Sequence, residues 1–272
     1  MIEMIPYVED KLWGKELWFV SDFKKKVSKV VYQGRIYSFK RFYREHNALF
    51  GNMSEPTYPI IIKQIIADDK LSIQVHPPKD IADKYGHDSK VESWIILKNT
   101  VNDTIVYGHH AENKHSLNDF MNNQAYDRLI QRISIKPYDI LTIYPGTLHA
   151  ICEKTSVLEI QQASDTTYRV YDYNRLYQGH KRKIHTKQAY ESIKVPNKTV
   201  YRDQKTPYYQ FNHIKVSAMI KSTSDQTGTF IYVAEGSGKL NSDTVKEHHC
   251  YFVPSKTVYK LSGPMDCIII HL

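Results

Sequence analysis

The segment Leu71-Ser72-Ile73-Gln74-Val75-His76-Pro77 alternates apolar and polar residues, so a strand through it places Ser72, Gln74 and His76 on one face. Lys90-Val91-Glu92-Ser93-Trp94 repeats the pattern and puts Lys90 and Glu92 together on a second strand. A Gln, a His, a Glu and a Lys then face a common space. Nitrogen and oxygen donors of this kind suit a divalent metal, with the Lys beside the ion rather than on it. A lone Gln-x-His would be a satisfied strand histidine more often than a ligand. Convergence with Glu92, and with His149 just after the turn at Pro145-Gly146, favours the ligand reading. Two imidazoles, a carboxylate and an amide oxygen leave room for water or substrate, the hallmark of a catalytic metal site. Zinc is the first choice, and iron, manganese, cobalt or nickel would accept the same donors.

Asp165-Thr166-Thr167-Tyr168-Arg169-Val170-Tyr171-Asp172-Tyr173-Asn174-Arg175 is the other stretch dense in reactive side chains. Arg169 could steady an oxyanion or grip a phosphate through its planar fork, or simply pair with an Asp on a solvated strand. Lys63 lies inside the apolar run Pro59–Ile66, where an ammonium is costly unless it reaches a polar cavity or snorkels from an edge.

The elements that must carry these groups are mainly strands. Short alternating runs separated by turn residues recur along the chain, while Leu117, Phe120, Met121, Tyr126, Leu129 and Ile130 alone mark a clear helical patch, with Ser116 or Asn118 available as its cap. Shorter helices are expected at Pro77–Tyr85 and Lys187–Ile193, and Arg35–Arg44 is expected to continue the strands. The fold class is mainly β, built from barrels or sandwiches, and a barrel that keeps polar residues inside is a metal-holding jelly roll of the cupin type. The expected division is an N-terminal cupin domain over 1–195 carrying the site and a smaller, metal-free cupin-like domain over 196–272. His213, His248, His249 and His271 of the latter are read as packing or surface residues.

Composition bounds the rest. With 272 residues the chain can bury a sizeable core. No stretch approaches the roughly 20 apolar residues of a membrane span. Met1–Pro6 lacks a basic region followed by an apolar run, so no signal peptide is expected. Three scattered cysteines make no disulfide framework, and a cytoplasmic location is expected. A net charge of +8 fits either an anionic partner or a generally basic surface. No nucleic-acid-binding signature accompanies the clusters Lys24–Lys26 and Lys181–Lys183, so neither nucleic acid nor membrane is an expected partner.

Taken in order, Val8–Gly14, Pro59–Lys63, Leu71–Pro77, Lys90–Trp94, Pro145–Ile151 and Glu159–Arg175 resemble the type I mannose-6-phosphate isomerases, in particular their short bacterial form. The resemblance covers roughly residues 5–180 and only loosely the tail. It implies a zinc-dependent tandem cupin that interconverts mannose 6-phosphate and fructose 6-phosphate, a hexose 6-phosphate being the small-molecule partner. It places one zinc per chain on His76, Glu92 and His149, with Gln74 as a further ligand. It matches Arg169 and Lys90 to catalytic positions, and Lys63, Ser72 and Asp165 to substrate contacts. The segment after Trp13-Gly14 is shorter than the family pattern. A cupin dioxygenase and a non-catalytic sugar-phosphate sensor are the competing readings, and the sequence leaves monomer and homo-oligomer open.

Overall fold

The computed structural model describes residues 1–99 and 103–272. The chain is mainly strand with few helices, and no described helix is long and apolar enough to cross a membrane. It forms two compact units that interleave in sequence: one of Met1–Val8, Leu17–Lys63 and Gln204–Leu272, the other of Glu9–Glu16 and Gln64–Asp203. The boundaries differ from the consecutive division at residue 195 read from the sequence. The reason is long-range pairing: the Ile2–Ile5 strand lies between Cys250–Val253 and Lys29–Tyr32, with Met4 opposite both Cys250 and Val30. Local alternation carries no trace of such a partner.

In the first unit a sheet follows the order Gln210–Val216, Met265–His271, Thr229–Leu240, Cys250–Val253, Ile2–Ile5, Lys29–Tyr32, Arg35–Ser38. The strand expected across Arg35–Arg44 stops at Ser38, and Phe39–Glu45 is a helix. Ser38 caps it, its side chain accepting the Arg41 N–H at 3.3 Å. Phe39, Phe42 and Tyr43, spaced three and four apart, all point into a buried aromatic cluster with Phe50 and Tyr58. That helical period outweighs the β-favouring composition of the segment.

The second unit holds the candidate site between two sheets. One has the order Ile130–Ser134, Thr104–His109, His149–Ala150, Ile73–Val75, Tyr168–Tyr171. The other contains Ile140–Ile143, Glu92–Asn99 and Thr155–Gln162, followed by the end of Ile60–Ala67. Strand alternation sorts the side chains. Ile105, Tyr107 and Ile151 pack inward with Trp94, Ile96, Leu141 and Val157. Ile73, Val75, Val106, Tyr168 and Val170 turn the other way, onto Leu117, Met121, Leu129 and Ala189. Burying Ile73 and Val75 on the helical side obliges Gln74 to face the space between the sheets.

The helical patch is Lys114–Asn122 followed by Tyr126–Leu129, and its apolar stripe faces the core as expected. Its cap is Asn113 rather than Ser116 or Asn118. Asn113 Oδ1 accepts the Ser116 N–H at 2.9 Å, and Ser116 Oγ accepts the Asn113 N–H at 3.2 Å, a reciprocal capping box. Replacing Asn113 by alanine should cost about 1 kcal/mol and leave turnover of the folded protein unchanged, as read by thermal unfolding beside an activity assay.

Candidate metal centre and active site

His76 follows directly on the Ile73–Val75 strand, Glu92 opens the strand Glu92–Asn99, and His149 opens the short strand His149–Ala150. The turn that aims His149 is the Pro145-Gly146 pair foreseen from the sequence. Gly146 has φ +91°, where a side chain is strained, and its N–H donates to the His76 carbonyl at 2.8 Å. The turn ahead of one imidazole is thereby tied to the backbone of the other.

The three side chains meet in a closed space. His76 Nε2 lies 3.0 Å from Glu92 Oε2, and His149 Nε2 lies 3.4 Å from Glu92 Oε1. One ligating atom from each residue falls within 4.8 Å of the others. His76 and His149 are 0% exposed and Glu92 1%. His76 Nδ1 donates to the Thr166 carbonyl at 2.9 Å, and His149 Nδ1 donates to the Thr147 carbonyl at 2.9 Å. Those bonds put the ring protons on Nδ1 and turn both Nε2 lone pairs inward. Burial, reinforced by the Lys90 ammonium, lowers the His76 pKa. Burial together with His76 pushes His149 down to about 3. Both rings are therefore neutral at ordinary pH, the state in which imidazole ligates metals.

Burial pushes the Glu92 carboxyl up, but the Lys90 ammonium, 2.8 Å from Oε2, together with His76 and His149 more than offsets it and holds the group well below the usual carboxylate range. Glu92 Oε1 and His76 Nε2 are buried without a hydrogen-bond partner, while Glu92 Oε2 is met by the Lys90 ammonium. Orphaned acceptors that converge from different strands are costly by themselves and fit a cation shared among them. A donor set of two imidazole nitrogens and one carboxylate suits zinc or another first-row divalent ion with a coordination position left open.

The remaining predicted residues are distributed around this triad or away from it. Gln74 is the register partner of His149 on one side and of Arg169 on the other, so three adjacent strands present His149, Gln74 and Arg169 in a row on one face. The Gln74 amide nitrogen lies 3.3 Å from His149 Nε2. Lys90 is 4% exposed, with Nζ donating to Gln161 Oε1 at 3.0 Å. Ser72 is buried, with Oγ 3.5 Å from Gln74 Oε1. Asp165 is exposed on the loop before Tyr168–Tyr171. Lys63 is buried in the first unit with its ammonium 4.7 Å above the Trp18 ring, so its charge rests on an aromatic face rather than reaching water from an edge.

Sequence reasoning passed over Glu159 and Gln161. They stand in register with Trp94 and Glu92, and Glu159 Oε2 accepts the Trp94 indole N–H at 3.0 Å while Oε1 is 3.9 Å from Lys90 Nζ. The signal was available: Glu159-x-Gln161 repeats the two-residue spacing of Lys90-x-Glu92 on the neighbouring strand.

Residues 2–126 match the sequence family "Phosphomannose isomerase type I, catalytic domain", a match that ends before His149 and Arg169. The mannose-6-phosphate isomerase ManA of Bacillus subtilis is 31% identical, across 89% of this chain and 83% of its own length. The chain belongs to the type I phosphomannose isomerase family. The probable mannose-6-phosphate isomerase GmuF of the same organism is 34% identical over 75% of this chain and 70% of its own. Among solved structures, a mannose 6-phosphate isomerase from Bacillus subtilis superposes with a TM-score of 0.92 at 28% identity, covering 100% of this chain and 99% of that one. A phosphomannose isomerase from Salmonella typhimurium shares the fold at a TM-score of 0.80, with 13% identity. The mainly β cupin fold expected from the alternating segments is the fold of the family.

Proposed function

We propose that the chain interconverts mannose 6-phosphate and fructose 6-phosphate at a zinc ion held by His76, Glu92 and His149, with Gln74 as a fourth donor. The observation that carries this reading is the buried triad itself, with an ammonium on one side and a guanidinium in the same strand row. Zinc bound there supplies a Lewis-acidic charge that polarises substrate oxygens and favours loss of the C2 proton.

The protein's own groups do the rest. Aldose–ketose exchange removes a proton from C2, passes through an enediol and returns a proton to C1. Arg169 faces the negative charge that grows on the enediolate oxygen. Its Nε–H is buried and has no hydrogen-bond partner, so it can be given to that oxygen at no cost to an existing bond. Lys90 Nζ, fixed between Glu92 and Gln161, is placed to move a proton during ring opening or enediol formation. Ser72, Asp165 and Lys63 are proposed as substrate contacts on the sequence resemblance. A cytoplasmic setting is proposed too, supported by Cys152, Cys250 and Cys267, all free and buried.

An assay coupling mannose 6-phosphate consumption to fructose 6-phosphate formation tests the reading. Turnover should disappear after chelation and return on adding zinc. Undiminished turnover in a protein shown to be metal-free would overturn it.

A further inference from the structure

Arg169 is held at three points by one short segment. Its Nη1 donates to the Lys183 carbonyl at 2.8 Å, its backbone N–H donates to His185 Nδ1 at 3.0 Å, and its carbonyl accepts the His185 N–H at 2.8 Å. Nη1 is engaged in this way, while the Nε–H of the same guanidinium is buried and unpartnered. Residues 183–185 therefore decide where that edge points, and something must decide where residues 183–185 sit.

The preceding residue supplies the anchor. Arg182 places a bidentate fork on Asp172, Nε donating to Oδ2 at 2.7 Å and Nη2 to Oδ1. Asp172 is only 4% exposed. It also accepts Arg175 Nη2 at 2.7 Å, and Arg175 Nη1 continues to Asp69 Oδ2 at 3.0 Å. The carboxylate thus closes a loop from one end of the hairpin Leu176–Tyr177/His180–Lys181 to the other. Tyr173 and Asn174, which lead out of Asp172, both take left-handed backbone, at φ +55° and +56°. Strain of this kind persists where surrounding bonds over-determine it.

We propose that Arg182, clamped by Asp172, is a positioning residue for Arg169: it seats the 183–185 segment that aims the guanidinium at the reacting oxygens. This rests on Arg169 being the charge-stabilising group of the isomerisation. Aim matters because a misplacement of about 1 Å can cost on the order of 100-fold in rate. A guanidinium that is not held will also spend part of its time in other rotamers.

The test compares wild type, Arg182→Gln, Arg169→Ala and the double variant, with kcat, KM for mannose 6-phosphate, zinc content and thermal midpoint measured for each. Arg182→Gln should lose about 10- to 100-fold in kcat, with KM and zinc content little changed. Arg182→Lys, which keeps the charge without the fork, should recover part of the loss, and it carries the same measurement if Arg182→Gln does not fold. The decisive number is the double variant. If Arg182 acts through Arg169, removing both should be no slower than Arg169→Ala alone. Losses that multiply, a defect confined to KM, or an unaffected kcat would each overturn the positioning role while leaving Arg169 in place. Full turnover in Arg169→Ala would instead overturn the role of Arg169 and the positioning role with it.

Discussion

Replacing His76 by alanine should strip the protein of its metal and, with it, of isomerase activity. His76 is one of three buried groups able to hold a metal ion, and its Nε2 lies 3.0 Å from the Glu92 carboxylate with its ring fixed by the Thr166 carbonyl. Loss of an outer partner of a ligating histidine commonly costs 10–100-fold in metal affinity. Loss of the ligand itself should exceed that, enough for the metal to be removed by dialysis against a mild chelator. The Lys90–Glu92 pair survives in the variant and keeps the remaining carboxylate compensated, so the folded state should persist. Metal analysis of the purified variant beside its circular dichroism spectrum checks both halves. A folded variant that retains stoichiometric zinc would remove His76 from the ligand set.

Arg169→Ala should give the opposite pairing of results: metal retained, turnover lost. Arg169 contributes no ligand to the triad, and its backbone bonds to His185 do not depend on its side chain. Removing one preorganised donor aimed at a developing oxyanion typically lowers kcat by 10²–10³, about 3–4 kcal/mol of transition-state stabilisation. A loss in kcat well beyond the change in KM is the expected signature of the proposed role, in which Arg169 meets charge that develops on the enediolate and is absent from that oxygen in the bound sugar. Steady-state kinetics with zinc quantified in the same preparation decides it. Turnover within a factor of about two of wild type would exclude Arg169 from the chemistry.

The triad was legible in the sequence because it obeys local rules. Gln74-x-His76 and Lys90-x-Glu92 are alternations within single strands, and His149 is marked by a Pro-Gly turn whose glycine does adopt a left-handed φ. Family resemblance then joined segments that periodicity could only describe one at a time. What stayed illegible depends on register between strands. Nothing in the run Thr155–Gln162 announces that Glu159 will stand opposite Trp94, and nothing in Ile2–Ile5 announces Cys250–Val253. The helix Phe39–Glu45 was hidden for a different reason: its Phe and Tyr residues favour strands in general, and burial of one particular face overrode that preference. The Asp172 clamp was concealed as well, because the sequence shows Asp172, Arg175 and Arg182 without showing that a hairpin folds the last back onto the first.

The interleaved order of the two units has a consequence for how the chain is made. The stretch Gln64–Asp203, with all the residues of the triad, is complete once residue 203 has been synthesised. The first unit is in a different position, because Glu3 must wait for Tyr251 and Met4 for Cys250 before the strand at the amino terminus gains that neighbour. Pairing across such a sequence separation carries a loop-closure cost and forms slowly. A ribosome-bound chain can therefore bring His76, Glu92 and His149 together while Ile2–Ile5 still lacks its neighbour Cys250–Val253.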